Sequence, residues 1–190
     1  MGKSTIFNAL TASAVPAENY PFCTVDPNVG VVPLPDPRLE KITTFFRPGK
    51  ITPTTVEFVD IAGLVKGASE GEGLGNRFLG QIRQVAAIIH VVRCFEDQNI
   101  SHVEGSLDPV RDAELIETEL LMKDLETIEG KVEKAAKNAK SGDKQHKTEL
   151  NLLTRLSEHC NAGKMARTFD CTSEEMLIIK ELHLLTRKRI

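Results

Sequence analysis

The 190-residue sequence predicts a doubly wound α/β sheet domain, incomplete, with a helical hairpin inserted into it. Three observations predict this. Up to about residue 107, short β-branched runs alternate with helix-compatible segments and Gly- or Pro-bearing turns, the pattern of strands crossed by helices. The run 86–95 (AAIIHVVRCF) is almost wholly apolar and of strand length, as expected of a parallel strand covered on both faces. From Asp108 onward glycine becomes scarce and apolar residues recur at three- and four-residue steps, the period of a helix face.

The elements follow in order. Residues 5–13 and roughly 76–85 are helix-compatible, and 28–33 and 54–60 read as strands, the second containing Val56, Phe58 and Val59. Asp108-Pro109 supplies an N-cap and a first-turn proline. Behind it Val110, Ala113, Ile116, Leu120, Leu121, Leu125, Ile128, Val132, Ala135 and Ala139 define a helix about 45 Å long. Ser141-Gly142-Asp143 breaks it, and a second helix with Leu150, Leu153 and Leu156 on one face runs to Ala162-Gly163. The pair is an αα-hairpin, read as a coiled coil standing out from the sheet, with packing flat against the core as the alternative. Thr172-Ser173-Glu174-Glu175 resembles a capping box opening a third helix through about Leu185. The domain reading is a sheet domain over 1–107, a hairpin over 108–172, and a return into the sheet domain over 173–190.

Composition excludes several classes of function. Net charge is −3, so no global basic field draws the chain onto nucleic acid or membrane. Trp is absent and Tyr occurs once, which removes aromatic stacking platforms. No stretch approaches the length of a membrane span. Cys23, Cys94, Cys160 and Cys171 are scattered without a Cys-x-x-Cys pair, as reduced thiols rather than a disulfide framework or zinc site.

The chemistry begins at Gly2-Lys3-Ser4-Thr5, the last part of the phosphate-loop pattern G-x-x-x-x-G-K-[ST], followed at once by Ile6, Phe7 and Leu10 on an amphipathic helix. Glycine lets backbone N–H groups close around phosphate oxygens, and the helix N-terminus adds its positive end. Lysine neutralises phosphate charge, and the serine hydroxyl is a Mg2+ ligand. A GKST string alone also arises by chance. Asp60-Ile61-Ala62-Gly63 adds a D-x-x-G pattern at a strand end, where the carboxylate can hold a Mg2+-bound water and the Gly63 N–H can sense a γ-phosphate; an ordinary strand–turn Asp-Gly is the alternative. Gly67, Gly71, Gly73, Gly75 and Gly80 follow closely, as an order–disorder switch requires, or as a simple flexible loop does. Thr24, in a loop ahead of the second strand, occupies the place of a γ-phosphate-dependent Mg2+ ligand.

GKST, NYPFCTVDPN, PDPRLEKI, VEFVDIAGLVKGASEGEGLGNRFL, HVVRCFEDQNISHVEGSLDP and the hairpin together resemble the Obg-like ATPase family, the YchF group, in its bacterial form. The resemblance covers the chain in order. It implies a GTPase-like P-loop NTPase fold with an inserted helical domain, and a cytoplasmic, monomeric, Mg2+-dependent ATPase associated with ribosomes, with no DNA or membrane partner and GTP as a possible substrate. Gly2, Lys3, Ser4 and Thr5 match the phosphate loop, Ser4 and Thr24 the Mg2+ ligands, and Asp60 and Gly63 the γ-phosphate sensor. Leu64 stands where many GTPases carry a water-orienting glutamine, and His102 matches the histidine implied for that role, an imidazole able to accept a proton near neutral pH. His90 reads as a core histidine, and His146, His159 and His183 as helix-surface residues.

Similar proteins begin the loop with a glycine and three residues that would precede Met1, after a central strand. They continue past Ile190 into a base-recognition segment and a TGS domain. The expectation is therefore an incomplete sheet and site. Two alternatives to turnover are a nucleotide-gated ribosome-binding module and a fragment with impaired nucleotide binding. Lys131, Lys134, Lys137, Lys140, Lys144 and Lys147 read as a solvated helix face, since Glu129 and Glu133 lie among them; a ribosomal RNA stripe is the alternative.

Overall fold

The computed structural model describes residues 2–12, 28–46, 48–61, 74–97, 105–140 and 143–190. Its chain divides into two compact units, Met1–Gly63 with Gln98–Ser101, and Leu64–Asp97 with His102–Ile190.

The first unit holds α1 (Lys3–Thr11), β1 (Asn28–Pro33), α2 (Pro37–Phe46) and β2 (Thr55–Asp60). β1 and β2 pair antiparallel, with Asn28 opposite Asp60, Gly30 opposite Phe58 and Val32 opposite Val56. Directly opposed residues share a sheet face, and along β1 Gly30 is the buried position while Val29 and Val31 are more than half exposed. Burial in β2 is confined to its C-terminal half and is complete only at Asp60. Val56, toward the other end of β2, is 38% exposed. α2 was not foreseen, although its signal repeats one used elsewhere: Asp36-Pro37 is the same N-cap and first-turn proline pair as Asp108-Pro109. The Asp36 carboxylate accepts from the Arg38 N–H at 2.9 Å and from its guanidinium at 2.8 and 3.0 Å. Arg38 thereby holds the Asp36 pKa below the usual carboxylate value.

The second unit is built on α3 (Leu74–Gln84), α4 (Pro109–Ala139), α5 (Lys144–Asn161), a 3-10 turn at Ala166–Thr168, and α6 (Ser173–Glu181). The expected hairpin is present. Asp108 caps α4 through the Arg111 N–H at 3.1 Å, and Asp143 caps α5 through the Gln145 N–H at 2.8 Å. Leu121, Ile128 and Ala135 of α4 meet Leu152, Leu153, Leu156 and Cys160 of α5 in one core. Val110 lies outside that stripe and is 66% exposed. Thr172 and Glu175 form the full capping box, each side chain accepting the other's backbone N–H at 3.2 and 2.9 Å.

α6 stops at Glu181 rather than near Leu185. The reason is burial: Leu184, Leu185 and Thr186 are consecutive and all inaccessible, which one helix face cannot provide, and His183 turns the chain at φ +50°. Asp124, 1% exposed on α4, collects this segment. It accepts from Leu185 N–H at 2.7 Å, Thr186 N–H at 2.8 Å and the Thr186 hydroxyl at 2.7 Å. Thr186 Oγ1 in turn accepts from Ala166 N–H at 3.0 Å. Burial pushes the Asp124 pKa up, against the lowering effect of these bonds.

The apolar run 86–95 does not form the expected covered strand. Among the described residues it makes one parallel bridge, Ala87 to Arg189, and Ile89 is 68% exposed. A strand exists through its ladder, and this run has one bridging partner rather than a neighbour along its length. Within the run His90 is half-buried. Burial lowers its pKa, and Glu117 partly opposes the shift. His159 is not a free surface residue either. Its Nε2 lies 3.0 Å from Thr168 Oγ1 and 3.2 Å from the Met165 carbonyl, and its ring meets Phe169 edge-on at 5.4 Å. Nδ1 of His146 is buried without a hydrogen-bond partner among the described residues.

Cys160 is buried in the hairpin core, where desolvation, with Asp124 adding to it, pushes its thiol up to about 11. Because the thiolate is the reactive species, iodoacetamide at pH 8 is expected to modify the exposed Cys94 at least tenfold faster than Cys160 in the folded chain. Peptide mass spectrometry over a time course reads this directly. Equal rates would mean that the hairpin core is open.

Candidate functional site

The site is assembled in the first unit, from one end of a helix and one end of a strand. Lys3, Phe7 and Thr11 recur at four-residue steps and therefore share one face of α1. That face meets the sheet, with Phe7 buried and Thr11 half-buried. The helix starts without a side-chain cap. Gly2 stands at the N-cap with φ +88°, and its carbonyl accepts the first helical bond, from the Ile6 N–H at 2.8 Å. The left-handed backbone there is the one glycine adopts without strain. The first-turn N–H groups of Lys3, Ser4 and Thr5 thus precede the helical ladder, at the positive end of the helix.

Asp60, the last residue of β2, receives both functional side chains of that turn. The Lys3 ammonium pairs with Asp60 Oδ1, and Ser4 Oγ donates to Oδ2 at 2.9 Å. The Asp60 side chain is fully buried while that of Lys3 is 36% exposed. The buried end of the pair is therefore the carboxylate, and the cation reaches it from a side open to solvent. Of the expected residues, Gly2, Lys3, Ser4, Thr5 and Asp60 are brought to one place. Thr24, Gly63, Leu64 and His102 lie outside the described residues.

A hard divalent cation such as Mg2+ takes oxygen ligands with bonds of about 2.0–2.1 Å. A hydroxyl and a carboxylate oxygen 2.9 Å apart have the chemistry and the spacing of two neighbours around such an ion. The donor set fits.

α1 rests on a residue outside the expected set. Gly30 is buried on the face of β1 that Asp60 shares. A Cβ built there would fall on Thr11 Cγ2, within 2.7 Å of Thr11 Cβ and 3.3 Å of Phe7 Cζ. Its signal was legible: a glycine inside a β-branched strand marks a close backbone approach.

The family model for 50S ribosome-binding GTPases matches residues 1–129. The chain belongs to this family. Among curated proteins of the family's kind, it is 52% identical over its whole length to the ribosome-binding ATPase YchF of Bacillus subtilis (strain 168). It is 52% identical over 188 residues to that of Escherichia coli O157:H7. The chain spans about half the length of these relatives, 52% in each case. A solved YchF GTPase structure from Schizosaccharomyces pombe superposes with a TM-score of 0.78 at 39% identity, covering 98% of this chain and 51% of that one. The fold of the family member is therefore the GTPase-like P-loop α/β fold with a helical insertion. No helix among its described residues is long and apolar enough to cross a membrane.

Proposed function

We propose that this chain is the nucleotide-binding part of a Mg2+-dependent ATPase that works on the ribosome. The observation that carries the reading is the convergence of Lys3 and Ser4, from the first turn of α1, on the buried Asp60. Lys3 would leave Asp60 to neutralise the β- and γ-phosphates, and the uncapped N–H groups of the first turn would bind phosphate oxygens. Ser4, Asp60 and Thr24 would hold Mg2+, which supplies charge neutralisation between the phosphates when bound. Gly63 would sense the γ-phosphate and His102 would orient the attacking water, in the absence of a glutamine at Leu64. Residues 1–107 and 173–190 form the nucleotide-binding domain in this reading, and 108–172 the inserted hairpin, a coiled coil. ATP is the proposed triphosphate, in line with the names of the curated relatives; the family model and the fission-yeast structure carry GTPase in theirs. A cytoplasmic monomer is the state that goes with ribosome association.

Titration of a fluorescent ATP analogue into this chain, with ATP and GTP as competitors, tests the reading. Wild type is expected to bind in a Mg2+-dependent way, to prefer ATP over GTP, and to lose at least tenfold in affinity on Lys3→Ala, as loss of a charge-assisted contact requires. Equal affinity in wild type and Lys3→Ala would remove the phosphate role of the lysine. His102→Ala should slow ADP release from ATP without weakening binding.

A further inference from the structure

We infer that Gly30 is a positioning residue for the nucleotide site: its missing side chain sets the height at which α1 lies on the strand pair, and so delivers Lys3 and Ser4 to Asp60. This rests on the nucleotide-site reading and adds a residue to it that touches neither phosphate nor metal.

One close contact carries the inference. Phe7 and Thr11 stand against Gly30, and Lys3 stands at Asp60. Along α1, Thr11 to Lys3 is eight residues, about 12 Å of rise and a little over two turns, which keeps the two on one face. Along the strands, Gly30 lies opposite Phe58, two residues from the Asn28–Asp60 pair, which is about 6.7 Å. Because Thr11 and Lys3 belong to one rigid helix, a shift forced at Gly30 is carried to the lysine at the other end. Glycine is not required there by the backbone, since Gly30 is not among the positive-φ positions of the described residues. It is required by space. A methyl group at Gly30 meets the Cβ of Thr11, which belongs to the helix backbone's own frame and cannot rotate away, so the whole helix must lift or slide. Thr11 is further held by its hydroxyl, which donates to the Phe7 carbonyl at 2.8 Å. Only the nearer atom, Cγ2, could escape by a change of rotamer.

The test is a double-mutant cycle on this chain, with Gly30→Ala, Thr11→Gly and the double variant, read by Mg2+-dependent binding of a fluorescent ATP analogue. Gly30→Ala is expected to weaken binding at least tenfold, and Thr11→Gly in the same chain to restore most of that loss, because it removes the two atoms a Cβ would strike. A general loss of strand stability would not be repaired by deleting a side chain on the helix. Unchanged binding in Gly30→Ala, or a double variant no better than Gly30→Ala, overturns the inference. Amide hydrogen exchange of residues 7–11 is followed across the same cycle, so that the two readings can fail separately. If wild type binds no nucleotide, the functional proposal fails. Seating of α1 is then decided by whether protection is lost in Gly30→Ala and regained in the double variant, and protection unchanged by Gly30→Ala overturns it.

Discussion

Asp124→Ala is expected to destabilise the second unit by about 3–5 kcal/mol, the range for removing one partner of a buried, fully engaged polar group. The Asp124 carboxylate is the shared acceptor of the Leu185 and Thr186 N–H groups and the Thr186 hydroxyl. Without it two backbone donors lose their partner in a region closed to water. The hydroxyl is less affected, since it can rotate while still accepting from Ala166. Asp124→Asn should lose less, about 1–3 kcal/mol, because its one carbonyl oxygen still serves one donor while its NH2 faces another. Urea denaturation checks both through the midpoint at unchanged slope. A shift under 0.5 kcal/mol for the alanine variant would show that the 184–186 segment is held by its leucines alone. The pH dependence has a definite sign. Burial raises the Asp124 pKa in the folded chain, so the folded state holds the proton more tightly than the unfolded one. The resulting stabilisation is complete below the ordinary aspartate pKa and is lost as pH rises through the raised value. The advantage of wild type over Asp124→Asn should therefore narrow from acid toward neutral pH.

Asp60→Asn is expected to abolish the Mg2+ dependence of nucleotide binding while leaving metal-free binding intact or improved. In the present arrangement the Lys3 ammonium is paired to Asp60, and a triphosphate must draw it away. Mg2+ would take its place beside the carboxylate. In the proposed mechanism the metal and the lysine would be alternative partners of one buried anion. A contact to a charged group is worth about 1.5–3 kcal/mol, which corresponds to roughly 10- to 150-fold in affinity. Wild type should show a Mg2+ stimulation in that range, and Asp60→Asn a stimulation near onefold. The asparagine also releases Lys3, so the metal-free affinity should not fall. Isothermal titration with and without magnesium measures both legs. An Asp60→Asn chain that still responds tenfold to Mg2+ would place the metal elsewhere.

How much of this was legible in the sequence depends on the range of the interaction concerned. The hairpin was readable because its determinants are local: Asp108-Pro109 and Asp143 begin its helices, and a repeating apolar stripe runs between caps. The capping box at Thr172 and Glu175 was readable for the same reason. α2 was equally local and was missed only because its Asp-Pro start was not sought. The Lys3–Ser4 and Asp60 pieces were each visible as short strings, but a string does not say which partner it faces. The run 86–95 departs from its expected strand because composition reports that a segment is apolar, whereas a strand also requires a neighbour along its length.

By itself, then, the sequence determined where α4, α5 and α6 start and which faces of the hairpin helices are apolar, since backbone capping and side-chain period act over a few residues. Tertiary structure alone decided that α6 ends before three consecutive buried residues, that Asp124 reaches across 61 positions to Leu185, and that Gly30 makes room for Thr11. Those outcomes follow from close packing and from pairing of buried polar groups. Both depend on which atoms arrive at the same place, and that is set by the fold as a whole.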